Sequence, residues 1–386
     1  MYENKNLWLD ELEEQACLHV LRSGVISGMS PEIEMYENEL SEYFQSAHAL
    51  AVSNGTAAIE LALRAVGVDR EDEVIVTALG PIMTYLPIVS LGAIPVFVDT
   101  NSPKTFVPNV EEVESRINPK TKAIMVVPMW GYPIDMEELN KVGTKYGIPI
   151  IEDASHCHGA QINGKYVGTL ADIGIFSTQE RKLVCTGEGG FLLFQNEDLF
   201  LRAKEMRNFG KPYRQEYLQA GLADTYGHMF GMNYRLSGIL AAIGRIQLKK
   251  LDEKIAIRTR NAEYLKQAIL PHTEYCEWES SGTQNYYSLL LYSDDSKVDS
   301  TVIQSGLKEW GIISDPYRYK YSVAYQMPIF IQFGRDCLNS ESLVESIITL
   351  PVHEGLKEEN LKYVAKTFLE VVSKSDTHSI NSSSKR

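Results

Sequence analysis

The sequence predicts a three-layer α/β fold, a mostly parallel sheet covered by helices on both faces, joined to a smaller α+β unit near the C-terminus. Three observations predict it. Short Val/Ile-rich runs alternate with amphipathic helical patterns over the first two-thirds of the chain; the runs are continuously apolar; and the pattern changes after a long helical stretch at 236–269. Strands covered on both faces lose the polar alternation of half-exposed ones, and helices between them are the natural parallel crossovers.

In chain order, the start "MYENKNLWLDELEEQACLHV" is acidic and helix-like, without the basic flank and apolar stretch of a signal peptide. Strands are expected at "DEVIVTA" (72–78), "IPVFVDT" (94–100), "AIMVVPM" (123–129), "IPIIED" (148–153), "IGIFS" (173–177) and "GFLLF" (190–194). Helical patterns such as "PNVEEVESRI" and "DMEELNKVGTKYG" lie between them. The stretch at 236–269 bridges to "NYYSLLLYS", "TVIQSGLKEWGI" and a last helix at "EENLKYVAKTFLEVV". These elements divide the chain into a large domain over 1–250, a small one over 251–374, and a polar, Ser-rich tail over 375–386 expected to be disordered.

Composition narrows the function. The 386 residues carry a formal charge of −14, which argues against a nucleic-acid surface, where cations must meet phosphates. A small anionic ligand would need a local cluster of donors set against that overall charge. The run "LPIVSLGAIPVFV" is too short and too broken by Gly and Pro to cross a bilayer. Five scattered cysteines at 17, 157, 185, 276 and 337 form no C-x-x-C pair and suggest reduced thiols in the cytoplasm.

In parallel α/β sheets a ligand sits beyond the carboxyl ends of the strands, and three chemical groups fall there. "VSNGTAAIELALRAVG" leads Ser53, Asn54, Gly55 and Thr56 directly into a helix. Free first-turn N–H groups, a glycine that permits close approach and the Thr56 hydroxyl make a phosphate cup; the plainer alternative is an ordinary N-cap. Asp153 ends "IPIIED", where a carboxylate can hold a positive nitrogen or cap a helix. Lys182 lies between "IGIFS" and "LVC", ahead of Gly187, Gly189 and Gly190. Apolar walls promote the neutral, nucleophilic amine, and the glycines let a tight loop pass close to a ligand. Arg181 and Lys182 should point to opposite sides, leaving one in solvent. Taken singly, Lys182 is an ordinary surface lysine. The spacing in "DASHCH" fits no compact zinc pattern, so no metal is expected. Taken together, an anion cup, a partner for a ring nitrogen and a buried amine are the three handles that pyridoxal phosphate (PLP) requires. No G-x-G-x-x-G or G-x-x-x-x-G-K-[ST] motif competes.

The chain resembles the fold-type I PLP-dependent aminotransferases, in the sugar and cyclitol branch (DegT/StrS type). The resemblance runs from "LRSGVISGMSPEIEMYENELSEYF" through "AVSNGTAAIELAL", "GAIPVFVD", "IEDASHCHGA" and "FSTQERKLVCTGEGG" to "GMNYRLSGILAAIGRIQL" and "LPVHEGL". It implies the aspartate-aminotransferase-like fold and a Schiff base between Lys182 and the cofactor aldehyde. Asp153 would pair with the pyridine nitrogen, and Gly55, Thr56 and Ser177 would hold the phosphate. His156 would lie near the ring hydroxyl. Asn233 would reach the phosphate of a neighbouring subunit, which implies a homodimer with shared active sites.

The implied activity is transfer of an amino group from glutamate or glutamine to the ketone of a sugar, nucleotide-sugar or cyclitol. Lys182 then shuttles the proton, and Arg235, Arg318 and Lys320 are candidate substrate contacts; Arg207, Lys211 and Arg214 are further cations. Gln179 in "FSTQERK" is closer to the cyclitol and aminohydroxybenzoate-type members than to those with an "FSFH"-like segment. One departure stands out: "ALGPIMTY" puts Pro81 or Ile82 where the family has an aromatic stacking on the cofactor. Two other classes stay open. One is a dehydratase of the same fold, although the deoxygenating branch replaces the lysine with histidine; the other is a PLP-binding regulatory protein.

Overall fold

The structure, a computed structural model, describes residues 1–222, 225–293 and 300–383. Its strands in chain order are β1 (Tyr2–Glu3), β2 (His48–Val52), β3 (Glu73–Thr77), β4 (Ile94–Val98), β5 (Thr121–Val126), β6 (Ile150–Asp153), β7 (Gln161–Ile162) and β8 (Lys165–Tyr166). There follow β9 (Ile173–Ser177), β10 (Gly190–Phe194), β11 (Tyr275–Glu277), β12 (Leu289–Ser293), β13 (Ile312–Ile313) and β14 (Ile347–Leu350). Seven of them form one sheet in the order β2-β10-β9-β6-β5-β3-β4. Only β10 runs against its neighbours β2 and β9; the pairs from β9 across to β4 are parallel. The residues are apolar on both faces, as Val74, Ile75 and Val76 or Phe191, Leu192 and Leu193 illustrate. Helices therefore cover both sides, as the continuous runs predict.

All six expected strands of this sheet are present. The seventh, β2, was not anticipated: "HALAV" is alanine-rich and short, with little intrinsic strand preference, and it gains its place by pairing with β10 from Gly190↔Val52 to Phe194↔His48. The stretch expected as one long helix is two, Gly238–Lys249 and Leu251–Ile269, turning at Lys250. The Lys250 ammonium is drawn into an ion pair with Glu13 (2.7 Å) on the first helix, Glu11–Ser23, and with Asp10 (2.8 Å) that caps it, and it is almost fully buried there.

A second sheet, β11-β12-β14, is antiparallel; the helices Leu251–Ile269 and Glu358–Ser383 pack on each other, and Phe368 of the latter meets Tyr275 of β11 edge to face. The N-terminal strand β1 pairs in parallel with β13, so the first residues join this C-terminal unit rather than the large sheet. The last helix continues to Ser383, past residue 375 where a disordered tail was expected. No Gly or Pro interrupts residues 358–383, so nothing in the chain stops helix propagation. Residues 384–386 of the expected tail lie outside the described residues.

The sheet fixes the site because β2, β9 and β6 all end on the same edge. The first residue of β10, Gly190, is opposite both Val52 and Ser177, which brings the start of the helix Gly55–Ala65 against the end of β9. Packing at the opposite end of β9 is equally tight: a Cβ on Gly174 would sit 1.9 Å from the carbonyl oxygen of Gly168. Backbone cannot yield as a side chain does. Gly174→Ala should therefore cost about 3 kcal/mol or more, at the upper end for overpacked cores, read as a lowered urea midpoint in equilibrium denaturation.

Candidate active site

Residues 178–189 form the loop between β9 and β10, and Lys182 sits in its first turn. The loop is drawn tight by Thr178 and Thr186, whose hydroxyls are 2.7 Å apart, and by the bridge between Gln179 and Gly187. Gly187 has φ +89° and Gly189 φ +153°, and a Cβ on Gly189 would meet the Thr178 hydroxyl at 2.4 Å. Glycine is required at these turns for conformation and space. The Lys182 Nζ lies 5.5 Å from the centre of the Tyr287 ring. Burial lowers its pKa to about 8, against an opposing pull from the carboxylates of Asp153 and Asp315. Arg181 does not point freely to solvent as expected; it is part-buried in an ion pair with Glu3 at 3.3 Å.

At the end of β2, Asn54 caps the helix Gly55–Ala65, its side chain accepting from the Ala57 N–H at 2.8 Å. Gly55 and Thr56 are the first two helical residues, so their N–H groups have no carbonyl a turn earlier. A Cβ on Gly55 would lie 2.9 Å from the Ser177 Cβ, and one on Gly190 would lie 2.9 Å from the Gly55 nitrogen. Gly55, Ser177 and the exposed Thr56 thus meet at one cradle whose closeness only glycine allows.

Asp153 is buried, 3% exposed, and both of its carboxylate oxygens accept hydrogen bonds. One oxygen accepts from the Thr84 hydroxyl at 2.6 Å, the other from the Ser155 hydroxyl at 2.6 Å and the Ser155 N–H at 3.3 Å. The Ser155 hydroxyl in turn accepts from the Ser177 N–H at 3.1 Å, which ties this carboxylate to the anion cradle. Pro81 caps the helix Ile82–Ser90, and Pro81 and Ile82 are half-buried. In place of an aromatic, the segment "ALGPIMTY" supplies Thr84, one turn into that helix, to Asp153.

His156 stacks on Tyr287 with ring centres 4.3 Å apart, and its Nδ1 accepts from the Trp130 N–H at 3.3 Å. Burial first, and the nearby Lys182 second, push its pKa well below the usual imidazole value. The ring is therefore neutral and carries its proton on Nε2. Tyr287 itself is fixed from beneath: Arg258 donates to its carbonyl at 3.0 Å and pairs with Glu354 at 2.8 Å, both side chains nearly fully buried. Glu354 belongs to "LPVHEGL", so that motif acts through Arg258 on the position of Tyr287.

The remaining expected contacts are more dispersed. Asn233 is exposed, with its backbone bridged to Asn208. Arg235 donates to the Asn208 side chain and lies over the Phe209 ring. Arg207 is buried against Glu37 and the Ala51 carbonyl, and Arg214 pairs with Asp198 at 2.6 Å; both serve packing. Arg318 pairs with Glu3, and Lys320 is exposed at a left-handed position, φ 46°. His156 stacks on Tyr287 while His158 packs edge-on against the stacked pair Phe176 and Phe191, and among the described residues no group of three or more His, Cys, Asp or Glu could hold a metal. No helix among the described residues is long and apolar enough to cross a membrane. Sequence reasoning missed Thr84, Ser155, Tyr287 and Asp315. Ser155 stood in plain view two residues from Asp153; the others are remote in sequence and carry no local signal.

Comparison with known proteins places this geometry. Residues 8–369 match the model of the DegT/DnrJ/EryC1/StrS aminotransferase family. GDP-perosamine synthase of Escherichia coli O157:H7 is 30% identical over 361 residues, 94% of this chain and 96% of that protein. L-glutamine:2-deoxy-scyllo-inosose aminotransferase of Streptoalloteichus tenebrarius is 36% identical over 290 residues, 72% of this chain and 67% of that one. The aminotransferase structure from Psychrobacter cryohalolentis superposes with a TM-score of 0.87 at 27% identity, covering 96% of this chain and all of that one.

Two outcomes follow from the buried groups. In the folded chain Lys182 titrates at about 8, below the 10.5 of a free lysine, so between those values the unfolded chain binds more protons and stability rises with pH. In the cofactor-free protein, Lys182→Met should therefore melt higher than wild type below pH 8, the difference closing as the pH passes 10.5, in thermal scans across that range. Thr84→Val leaves the buried Asp153 carboxylate one donor short and should cost about 1–3 kcal/mol in urea denaturation, with Thr84→Ser close to wild type.

Proposed function

Because the chain belongs to the DegT/DnrJ/EryC1/StrS aminotransferase family, we propose that it uses PLP to move an amino group from glutamate or glutamine to the ketone of a sugar or cyclitol. The observation that carries this reading is the buried amine of Lys182, flanked by the Gly55–Ser177 cradle and the Asp153 carboxylate. When bound, PLP supplies an aldehyde that takes up the amino group and a ring that accepts electrons from the substrate carbon.

The residues fit that group. A phosphate suits the cradle, where Gly55 and Thr56 offer helix N-terminal N–H groups and Ser177 a hydroxyl. Asp153, held by Thr84 and Ser155, would keep a proton on the ring nitrogen. His156 offers its Nε2–H to the ring hydroxyl. With its pKa at about 8, Lys182 Nζ would hold the aldehyde until the donor's amine displaces it, and the freed amine would take a proton from the substrate carbon and return it two atoms away, across the nitrogen. Lysine at 182, rather than histidine, favours transfer over dehydration.

The family resemblance implies a homodimer with shared sites, in which Asn233, exposed here, would reach the phosphate of the second copy. Five cysteines without a disulfide suit work in the cytoplasm. The two named relatives act on a nucleotide-linked sugar and on a cyclitol, and Gln179 favours the cyclitol side.

Incubating the purified holoenzyme with single amino acids tests the reading. Glutamate or glutamine should remove the visible cofactor band, and a keto-sugar or keto-cyclitol should restore it. Lys182→Ala should abolish the band and turnover, and borohydride reduction followed by peptide mapping should label Lys182. A band that no amino acid alters would leave a binding protein rather than a transferase.

A further inference from the structure

Beside Lys182 the structure gathers two guanidinium groups on one carboxylate. Arg181 comes from the same loop and Arg318 from the short helix Asp315–Tyr319. Both pair through Nη2 with Oε2 of Glu3, Arg181 at 3.3 Å, and Glu3 is brought in by the pairing Glu3↔Ile313 between β1 and β13. The next carboxylate, Asp315, is buried and accepts from the Ser288 hydroxyl at 3.0 Å, and it interacts electrostatically with Arg318, Arg181 and Lys182 in turn. The two arginines and the reacting amine therefore share one neighbourhood.

The donor accounting is unbalanced. Arg181 Nη1 and Arg318 Nε are buried and have no hydrogen-bond acceptor among the described residues. Buried charged donors without acceptors are costly and uncommon. Arg245 has Glu32 and both oxygens of Glu39, and Arg258 has Glu354 and two carbonyls. Arg116, Arg207 and Arg335 each leave a buried Nε without an acceptor, but Arg181 and Arg318 do so as a pair on one carboxylate in the neighbourhood of Lys182. Here two planar forks, each suited to a two-oxygen anion, share a single oxygen. In a chain of net charge −14, a cationic pair beside the reacting lysine is the local donor cluster a small anion requires.

We propose that Arg181 and Arg318 form a binding fork for an anionic group of the substrate, the carboxylate of the amino donor, and that Glu3 fills this fork as an internal carboxylate until the substrate displaces it. This rests on the reading of Lys182 as the reacting amine. Displacement is feasible because the strand that holds Glu3 is two residues long and the Glu3 side chain is 25% exposed. Asn4, which donates to the Tyr287 carbonyl and the Ser288 hydroxyl, tethers the strap next to the fork. Glu3 would compete with the donor's carboxylate for the fork.

The test uses the full-length holoenzyme with succinate as an unreactive dicarboxylate and inorganic pyrophosphate as a stand-in for acceptor phosphates. Binding is read by thermal shift, and the amino-acid half-reaction by loss of the visible band. Glu3→Gln removes the internal competitor and should tighten succinate binding about tenfold, the scale of one charged hydrogen bond. Arg181→Gln should weaken succinate by a similar factor and raise the donor KM more than it lowers kcat, while Arg181→Lys recovers part of the loss. If only pyrophosphate binding tightens in Glu3→Gln, the anion belongs to the acceptor and the donor assignment falls. A folded Glu3→Gln with neither affinity improved overturns the fork. If Glu3→Gln does not fold, an Arg181→Gln enzyme with unchanged succinate binding and donor KM overturns it equally. Failure of every amino acid to alter the band would sink the transferase reading alone, since thermal shift does not depend on turnover.

Discussion

The amine of Lys182 is held against the Tyr287 ring where burial disfavours its charged form, while the carboxylates of Asp153 and Asp315 pull the other way. The outcome of that opposition, a pKa of about 8, leaves a lysine that is a usable nucleophile and still a proton carrier. Either influence alone would spoil it: deeper burial without carboxylates would give an amine that cannot be reprotonated, and an ordinary ion pair would hold it charged. Much of the surrounding architecture maintains this compromise.

Maintenance is mechanical as much as electrostatic. The loop bearing Lys182 is fixed at Leu183, whose carbonyl accepts from the buried ammonium of Lys254 at 2.7 Å. Lys254 also donates to Gln247, which reaches Glu13 and the Trp8 carbonyl, so the first helix and its approach are linked to the reactive loop. On the other side, Glu354 holds Arg258 and Arg258 holds Tyr287. Buried polar links of this kind are costly to leave incomplete. They give the site fixed walls from both the large sheet and the C-terminal unit.

The distribution of cations is consistent with that division of labour. Arg214, Arg245 and Lys250 are matched by carboxylates in helix–helix or loop contacts. Arg181 and Arg318 are the pair beside the reactive lysine with donors left over. Their position makes the N-terminal strap part of the site's chemistry, although it lies far from Lys182 in sequence.

The sequence by itself determined the elements whose cause is local. Continuous Val/Ile runs specify strands buried on both faces, the Asn54-Gly55-Thr56 run specifies a helix start open to an anion, and the Gly187, Gly189 and Gly190 cluster specifies a tight loop near Lys182. Asp153 and Ser177 followed because strand ends in parallel sheets converge on one edge. Tertiary structure alone decided which remote groups meet there. Thr84 reaches Asp153 across 69 residues, and Glu3 reaches Arg318 across 315. Even the strand β2 exists through its partner rather than its composition. Such contacts depend on how separate elements are placed against one another, which no local run of residues encodes, and it is that placement, through burial and the carboxylates of Asp153 and Asp315, that sets the charge of Lys182.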